Sequence, residues 1–224
     1  MTFSLAGRCV RTGMFGAVVT SSSPAVAARC AWARAGVGAA CTQNVTDPTL
    51  GPELLDALAD GRSAQEALDH VVAGATHPAY RQLTVVDAEG RAAAYSGEHT
   101  LGRYGSAVGR DAVAAGNLLA DDAVPQAMLD AFTSHPEHDL GDRLLAALCA
   151  GAASGGEEGP VRSCGMVIVD RVAWPVTDLR VDWADDPIAE LQEAWQVWKP
   201  QADDYVTRAL DPSAAPSYGV PGDE

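Results

Sequence analysis

MTFSLAGRCVRTGMFGAVVTSSS, residues 1–23, is the stretch that decides the fold of this chain. It contains two runs rich in apolar residues, at 2–10 and 14–21, separated by Arg11-Thr12-Gly13. Two short apolar runs joined by a turn that contains glycine predict a β-hairpin. Thr2 is then the first residue of the first strand.

Thr2 is a candidate nucleophile because of its position. Met1 is commonly removed when a small residue such as threonine follows it, and removal leaves a hydroxyl and a free α-amine on one residue. An α-amine has a pKa of about 7.7–8.0, so it can accept the hydroxyl proton near neutral pH. Many chains begin Met-Thr by chance, so the rest of the sequence has to support this interpretation.

The remaining chain groups hairpins and helix pairs. Strands are predicted at residues 36–44, 82–87, 91–96, 163–170 and 171–176, and helices at 51–61, 63–74, 123–133, 140–150 and 187–199; the apolar segment 112–120 is left unassigned. Ser63 and Glu66 have the spacing of a capping box. Residues 24–34 are Ala-rich and predict a short helix or an irregular crossing. Grouped hairpins favour an α+β fold of antiparallel sheets over a parallel, doubly wound one.

The composition describes an ordinary globular chain of 224 residues, 47% of them hydrophobic. We expect one domain over residues 1–199, followed by an acidic, proline-containing tail at 200–224. The net charge of −15 argues against a nucleic-acid partner. No signal peptide or membrane span is recognisable, so we expect a cytoplasmic protein without a membrane partner. The five cysteines form no C-x-x-C pair and predict reduced thiols.

Six sequence segments resemble, in order, a bacterial family called domain of unknown function 1028. They are TFSLAGR with GAVVTSS, WARAGVGAACTQN, GPELLDALADGRSAQEAL, RQLTVVDAEGRAAAYSGE, GNLLA and TDLRVDWADDPIAELQ. The resemblance covers residues 2–198. It implies an Ntn-hydrolase-like, four-layer αββα sandwich in which an N-terminal nucleophile begins a central strand. The chemistry of such folds is hydrolysis of an amide or a related carbon–nitrogen bond.

The chain departs from the family pattern at three places. The family's Gly-Gly-Asp-x-Arg-Gly-x-Gln-Ser-Ala stretch corresponds to GGEEGPVRSC at residues 155–164. Ala115 precedes Gly-Asn where a glutamine is frequent, and Thr100 stands where a cysteine is common. None of these departures affects Thr2, and all three bear on the substrate pocket.

Several polar residues are candidates to assist the reaction at Thr2 through hydrogen bonds. Asn117 follows Gly116 and is the first candidate to donate a hydrogen bond to a developing oxyanion, as catalytic acyl transfer requires. Gln43 and Asn44 end a predicted strand and are the second. Ser22, or its neighbour Ser21, ends the strand paired with Thr2 and is a candidate hydrogen-bond partner of the α-amine.

Charged candidates for substrate binding are fewer. Glu98 and His99 follow the second hairpin, and Arg81 begins one of its strands. The remaining histidines lack the spacing of a metal site, so we expect no metal and no cofactor.

Three functions from different classes remain open on the sequence. The first is hydrolysis of a small amide, cyclic amide or N-acyl compound by Thr2. The second is a non-catalytic binding or assembly protein on the same scaffold. The third is a hydrolase that uses Cys164 or Cys41. Trp32, Trp195 and Trp198 supply large apolar side chains, from which we expect a homodimer or higher homo-oligomer.

Overall fold

Two antiparallel β-sheets packed face to face form the centre of the molecule, as a computed structural model of residues 2–222 describes it. The strands are β1 (Thr2–Arg8), β2 (Phe15–Ser21), β3 (Ala31–Arg34), β4 (Gly38–Asn44), β5 (Arg81–Asp87), β6 (Ala92–Ser96), β7 (Gly105–Gly109), β8 (Ala112–Asn117), β9 (Ser163–Val169) and β10 (Thr177–Val181). One sheet has the order β10-β9-β2-β1-β8-β7 and the other the order β3-β4-β5-β6.

Helices flank the two sheets, and most of them cover an outer face. They are α1 (Ala27–Cys30), α2 (Leu50–Ala59), α3 (Ala64–Gly74), α4 (Val124–Ser134), α5 (Leu140–Ala153), α6 (Pro187–Trp198) and α7 (Ala202–Leu210). Helices α2 and α3 pack on the four-stranded sheet, whereas α4, α5 and α6 pack on the six-stranded one. The four-layer αββα sandwich implied by the family resemblance is therefore confirmed.

The alternation of side chains along β1 explains why the strand lies at the centre. Phe3 and Leu5 point toward the helices and join their apolar core. Ser4 and Ala6 point the other way, toward the second sheet, as the two-residue period of a strand requires. The core between the sheets consists mainly of alanine and valine. Small side chains there let the two sheets approach closely.

Most predicted elements are confirmed, including the first hairpin, in which β1 pairs antiparallel with β2. The capping box of α3 is also present: the Ser63 hydroxyl accepts from the Glu66 N–H, and the Glu66 carboxylate accepts from the Ser63 N–H. In the part of the chain that the structure describes, none of the helices is long and apolar enough to cross a membrane.

Most differences from prediction concern strands at sheet edges. Strands β3 and β7 were not predicted, because one has four residues and the other begins and ends with glycine. The inner strand β8 was not assigned either, because its sequence, AVAAGN, is mostly alanine and glycine, which have little preference for strands. The strand expected at residues 171–176 was wrong; β10 begins at Thr177 instead. Pro175 has no N–H to donate to a neighbouring strand, and β10 is defined by pairing with β9 rather than by its own pattern.

The acidic segment at 200–224 contains a helix, α7, that was not predicted. Tyr205 of this helix stacks on Trp198 with ring centroids 4.9 Å apart, and Val206 is buried. Residues 223–224 of the predicted tail lie outside the described residues. The helix is amphipathic, and its apolar side covers the end of α6.

Candidate active site at the start of the first strand

Thr2 lies in an inner strand of the larger sheet, between β2 and β8. It faces Asn117 of β8 in the antiparallel register, and Phe3 faces Thr20 of β2. The side chain of Thr2 is on the same face of β1 as Ser4, so it points between the two sheets. Only 6% of Thr2 is exposed. A hydroxyl is therefore held inside the sandwich at the start of β1.

A serine hydroxyl is the first partner of this threonine. Thr2 Oγ1 lies 3.3 Å from Ser21 Oγ, to which it donates a hydrogen bond. Ser21 Oγ also accepts the N–H of Ser23 at 3.0 Å, which fixes its position at the end of β2. Of the two serines considered from the sequence, Ser21 rather than Ser22 brings its hydroxyl to Thr2. Ser22 contributes its backbone N–H to a different group, Glu157.

A buried network of amide side chains lies directly behind Thr2. Ser4 donates to Gln43 Oε1 at 2.6 Å, and Gln43 Nε2 donates to Gln82 Oε1 at 2.8 Å. The same oxygen of Gln82 accepts from Asn117 Nδ2 at 3.1 Å. Gln82 Nε2 in turn donates to the Gly116 carbonyl and to Ser96. The network joins both sheets with hydrogen bonds where the surrounding inter-sheet core is apolar.

Asn117, the predicted oxyanion donor, is fully buried beside Thr2. One hydrogen of its amide nitrogen goes to Gln82, which leaves the second hydrogen for another acceptor. Its Oδ1 has no hydrogen-bond partner among residues 2–222. A buried polar atom without a partner costs free energy. The unpartnered oxygen of Asn117 therefore suggests that a ligand or a reacting group binds there. The oxyanion role itself stays a prediction.

Glu157 is a second buried group with an unpartnered oxygen, and the sequence reasoning missed it. Its Oε2 accepts the Ser22 N–H at 3.2 Å, whereas Oε1 is buried without a partner in the described chain. Burial raises the pKa of this carboxyl from 4.5 to about 7, against the opposing effects of the positive charge at the chain's amino terminus and of the hydrogen bonds with Ser22. Glu157 is therefore poised to change charge near neutral pH.

The local backbone places Glu157 at the Thr2 end of the sheet. Gly155 and Gly156 have φ angles of 118° and 60°, which few residues other than glycine adopt. The turn they make lets Glu157 form a bridge with Leu119, two residues after Asn117. The signal in the sequence was the pair of glycines before an acid, within the stretch that departs from the family pattern.

Asn44 and Arg81, predicted to bind substrate, instead form hydrogen bonds with the backbone of neighbouring loops. Asn44 Nδ2 donates to the Tyr80 carbonyl at 2.6 Å, and its Oδ1 accepts the Leu101 N–H. Arg81 donates to the carbonyls of Val45 and Thr76. Both side chains hold neighbouring loops together, and the structure does not bring either into contact with Thr2. Gln43, by contrast, belongs to the buried network.

Glu98 and His99 lie on an exposed loop next to the site. Their side chains are 79% and 53% exposed, with His99 Nε2 3.9 Å from a Glu98 oxygen. The loop itself contacts the segment after β8, because Leu101 accepts the N–H of Leu118 at 3.0 Å. The backbone is close to the site, but the two side chains face solvent.

The two cysteines considered as alternative nucleophiles are both buried. Burial raises the pKa of the Cys41 thiol to about 12 and that of Cys164 to about 12. Cys164 Sγ donates to the Pro187 carbonyl at 2.9 Å. Because the thiolate is the nucleophilic form, these environments disfavour nucleophilic chemistry at either sulfur.

One group of possible metal ligands, which the sequence reasoning did not foresee, lies at the opposite end of the sheet. His135, Glu137 and His138 bring one ligand atom each within 4.8 Å of one another, and all three are exposed. Arg11, in the turn that ends the first hairpin, donates to the His138 carbonyl. The turn between β1 and β2 is at the far end of β1 from Thr2, so this cluster is remote from the site.

The three tryptophans that suggested an oligomer pack within the chain. Trp195 donates to Asp142 at 2.7 Å, Trp198 donates to Thr177, and Trp32 packs on the core beneath the smaller sheet. These intramolecular contacts explain the three tryptophans, so the tryptophans no longer support a homo-oligomer.

The fold and the site together define an α+β sandwich whose central strand begins with a buried, hydrogen-bonded threonine. The chain belongs to the family described as Family of unknown function (DUF1028), whose model matches residues 2–191. The crystal structure of protein SPO2555 from Silicibacter pomeroyi, of the same family, is 30% identical, with a TM-score of 0.83 over 91% of this chain and 89% of that one.

Two further solved structures are distant. An Anbu (Gly-1) mutant from Hyphomicrobium sp. strain MC1 is 13% identical with a TM-score of 0.43, over 91% of this chain and 96% of that one. Anbu (ancestral beta-subunit) from Yersinia bercovieri is 9% identical with a TM-score of 0.37, over 92% and 97%. Likeness at this level carries no conclusion about this chain. No curated protein matches it in sequence.

Proposed function

We propose that this protein hydrolyses a carbon–nitrogen bond in a small molecule, an amide, cyclic amide or N-acyl compound, with Thr2 as the nucleophile after Met1 is removed. The observation that carries the proposal is the Thr2 hydroxyl, buried at the start of a central strand and bonded to Ser21 at 3.3 Å. Burying hydroxyls and amides costs free energy even when they are paired, so a polar cluster in an apolar core points to a functional role.

The reaction follows from the groups at the site. Thr2 Oγ attacks the substrate carbonyl carbon, and its proton passes to the α-amine of the same residue. The tetrahedral intermediate collapses as the α-ammonium gives that proton to the leaving nitrogen, and the carbon–nitrogen bond breaks. Water then hydrolyses the ester on Thr2 and restores the hydroxyl. The free hydrogen of the Asn117 amide is the candidate donor to the oxyanion.

Removal of Met1 is essential to this proposal. As long as Met1 is attached, the α-nitrogen of Thr2 is an amide and cannot act as a base. The intact mass of the purified protein tests this requirement. A mass lower by one methionine residue is expected, and complete retention of Met1 contradicts the proposal.

The nucleophile itself can be tested before a substrate is known. A small β-lactone opens when a hydroxyl attacks its carbonyl, and the adduct carries the whole mass of the lactone. We expect one adduct per chain, mapped to Thr2 by peptide mass spectrometry. A protein that lacks Met1 and still forms no adduct at Thr2, or one labelled only at a cysteine, contradicts the assignment. A panel of small amides and cyclic amides then identifies the substrate class.

The two alternative functions make different predictions. A non-catalytic binding protein would retain its behaviour whether or not Met1 is removed. A cysteine-dependent hydrolase requires a reactive thiolate, which the raised pKa values of Cys41 and Cys164 disfavour at neutral pH. We propose a soluble small-molecule enzyme of the cytoplasm, whose oligomeric state light scattering at micromolar concentration would determine.

A further inference from the structure

Glu157 is a buried acid that the mechanism above does not use. It is 6% exposed, and its Oε1 has no hydrogen-bond partner among residues 2–222. Its other oxygen accepts the N–H of Ser22. The residue before Ser22, Ser21, accepts the hydrogen bond of the Thr2 hydroxyl. The carboxyl therefore lies at the Thr2 end of the sheet with one acceptor oxygen unused.

Neighbouring charged side chains do not neutralise this carboxyl. The charged residues in the segments around Glu157 are Arg103, Asp121, Asp122, Glu158 and Arg162. Arg103 faces Asp122 at 3.5 Å and Arg162 pairs with Asp185, while Asp121 and Glu158 are exposed. The positive charge that does act on Glu157 is that of the chain's amino terminus. Removal of Met1 transfers this charge to the α-nitrogen of Thr2.

We propose that the Glu157 carboxylate receives the α-ammonium group of Thr2 and stabilises that ammonium when it forms during attack. This inference rests on the proposed function. The proton still moves from Thr2 Oγ to the α-nitrogen and then to the leaving nitrogen, and the Glu157 carboxylate neither takes up nor releases a proton in these steps. Glu157 is thus a positioning residue, which makes the α-amine a stronger base without contacting the substrate.

The pairing has two measurable consequences. A nearby carboxylate favours the protonated amine, so it raises the pKa of the Thr2 α-amine. Removing the negative charge lowers that pKa, and the amine becomes neutral at lower pH. A less basic amine also accepts the hydroxyl proton less readily, so the maximal rate falls. A residue that only supported the fold would lower the rate without moving the pH dependence.

The experiment measures the rate of Thr2 acylation by a small β-lactone between pH 5.5 and 10. The parent protein, Glu157→Gln and the control Glu158→Gln are each treated with methionine aminopeptidase, and the loss of Met1 is verified by mass. We expect Glu157→Gln to move the midpoint of the profile down by about one pH unit or more and to lower the plateau about tenfold. Glu158→Gln should match the parent. An unchanged midpoint in folded Glu157→Gln overturns the inference.

A second measurement separates this inference from the proposed function. The ¹³C shifts of labelled Thr2, followed with pH, report protonation of its α-amine without any reaction. If the parent forms no adduct with the lactone but Glu157→Gln still lowers the Thr2 midpoint, the nucleophile proposal fails and the pairing stands. If acylation occurs and the midpoint of Thr2 is the same in both proteins, the pairing fails alone.

A third measurement covers the case in which Glu157→Gln does not fold. The ¹³Cδ resonance of Glu157 in the parent is then titrated before and after Met1 is removed. Removing Met1 places the ammonium on Thr2. The pH midpoint of the Glu157 titration should then fall, because the positive charge comes closer to the unpartnered oxygen. A midpoint that is the same in both forms overturns the inference.

Discussion

Asn117 in the larger sheet donates a hydrogen bond to Gln82 in the smaller sheet, across 3.1 Å and next to Thr2. The two residues come from strands β8 and β5, which belong to different sheets. Gln82 also donates to the Gly116 carbonyl, so its side chain bonds both Asn117, which faces Thr2, and the preceding residue, Gly116. The position of the candidate oxyanion donor therefore depends on the contact between the sheets.

Replacing Gln82 with leucine should destabilise the protein strongly. The change leaves Gln43 Nε2, Asn117 Nδ2 and the Gly116 carbonyl without their partner in a buried region. At about 1–3 kcal/mol for each unsatisfied group, we expect a loss of about 3 kcal/mol or more, measured by urea unfolding. Gln65→Leu is the control, because Gln65 is exposed on α3 and its side chain donates to the exposed Asp69. Equal stability of the two variants would contradict the importance of the network.

Three substitutions at Thr2 should separate the nucleophile from the scaffold. Thr2→Ala keeps a small residue after Met1, so Met1 is removed and the fold survives, but reaction with the β-lactone should fall by several orders of magnitude. Thr2→Ser should retain part of the reactivity. Thr2→Leu should block removal of Met1 and abolish the reaction because the α-amine stays in a peptide bond. Near-parental reaction by folded Thr2→Ala would refute the nucleophile.

Glu157 should make the protein less stable as the pH rises. Its pKa is about 7 in the folded chain against 4.5 in the reference state, so the folded state binds more protons between these values. Stability from this group is full below about pH 4.5 and is lost as the pH rises to 7, on the order of 3 kcal/mol. Glu157→Gln should flatten this part of the profile, measured by urea unfolding from pH 4 to 8 on chains with Met1 retained. A profile parallel to the parent's would count against a raised pKa.

Cys41 and Cys164 should be dispensable for the reaction at Thr2. Both thiols are buried with a raised pKa, so iodoacetamide at pH 8 should label them only after unfolding. Cys41→Ser and Cys164→Ser should keep the parental rate of Thr2 acylation if they fold. Loss of reactivity in a folded serine variant would instead favour the cysteine-dependent alternative. Peptide mass spectrometry of the native and unfolded protein gives the labelling pattern.

The sequence predicted the parts of the fold that local patterns encode. The hairpin of β1 and β2 follows from two apolar runs around a glycine turn, and α3 from Ser63 and Glu66 in a capping box. Strands β3, β7 and β10 escaped prediction because edge strands of four or five residues form through pairing with a neighbour. Their own residues carry little preference for a strand.

The sequence by itself determined that Thr2 begins a strand and that the fold is α+β with antiparallel sheets, because both depend on the order and period of nearby residues; the four-layer arrangement followed from the family resemblance. Only the tertiary structure decided which polar groups meet at Thr2. Ser21, Asn117 and Glu157 come from separate parts of the chain, and the pairing of β1 with β2 and β8 brings the first two together. Burial then raises the pKa of Glu157, which depends on exclusion of water by the whole fold and not on its neighbours in sequence.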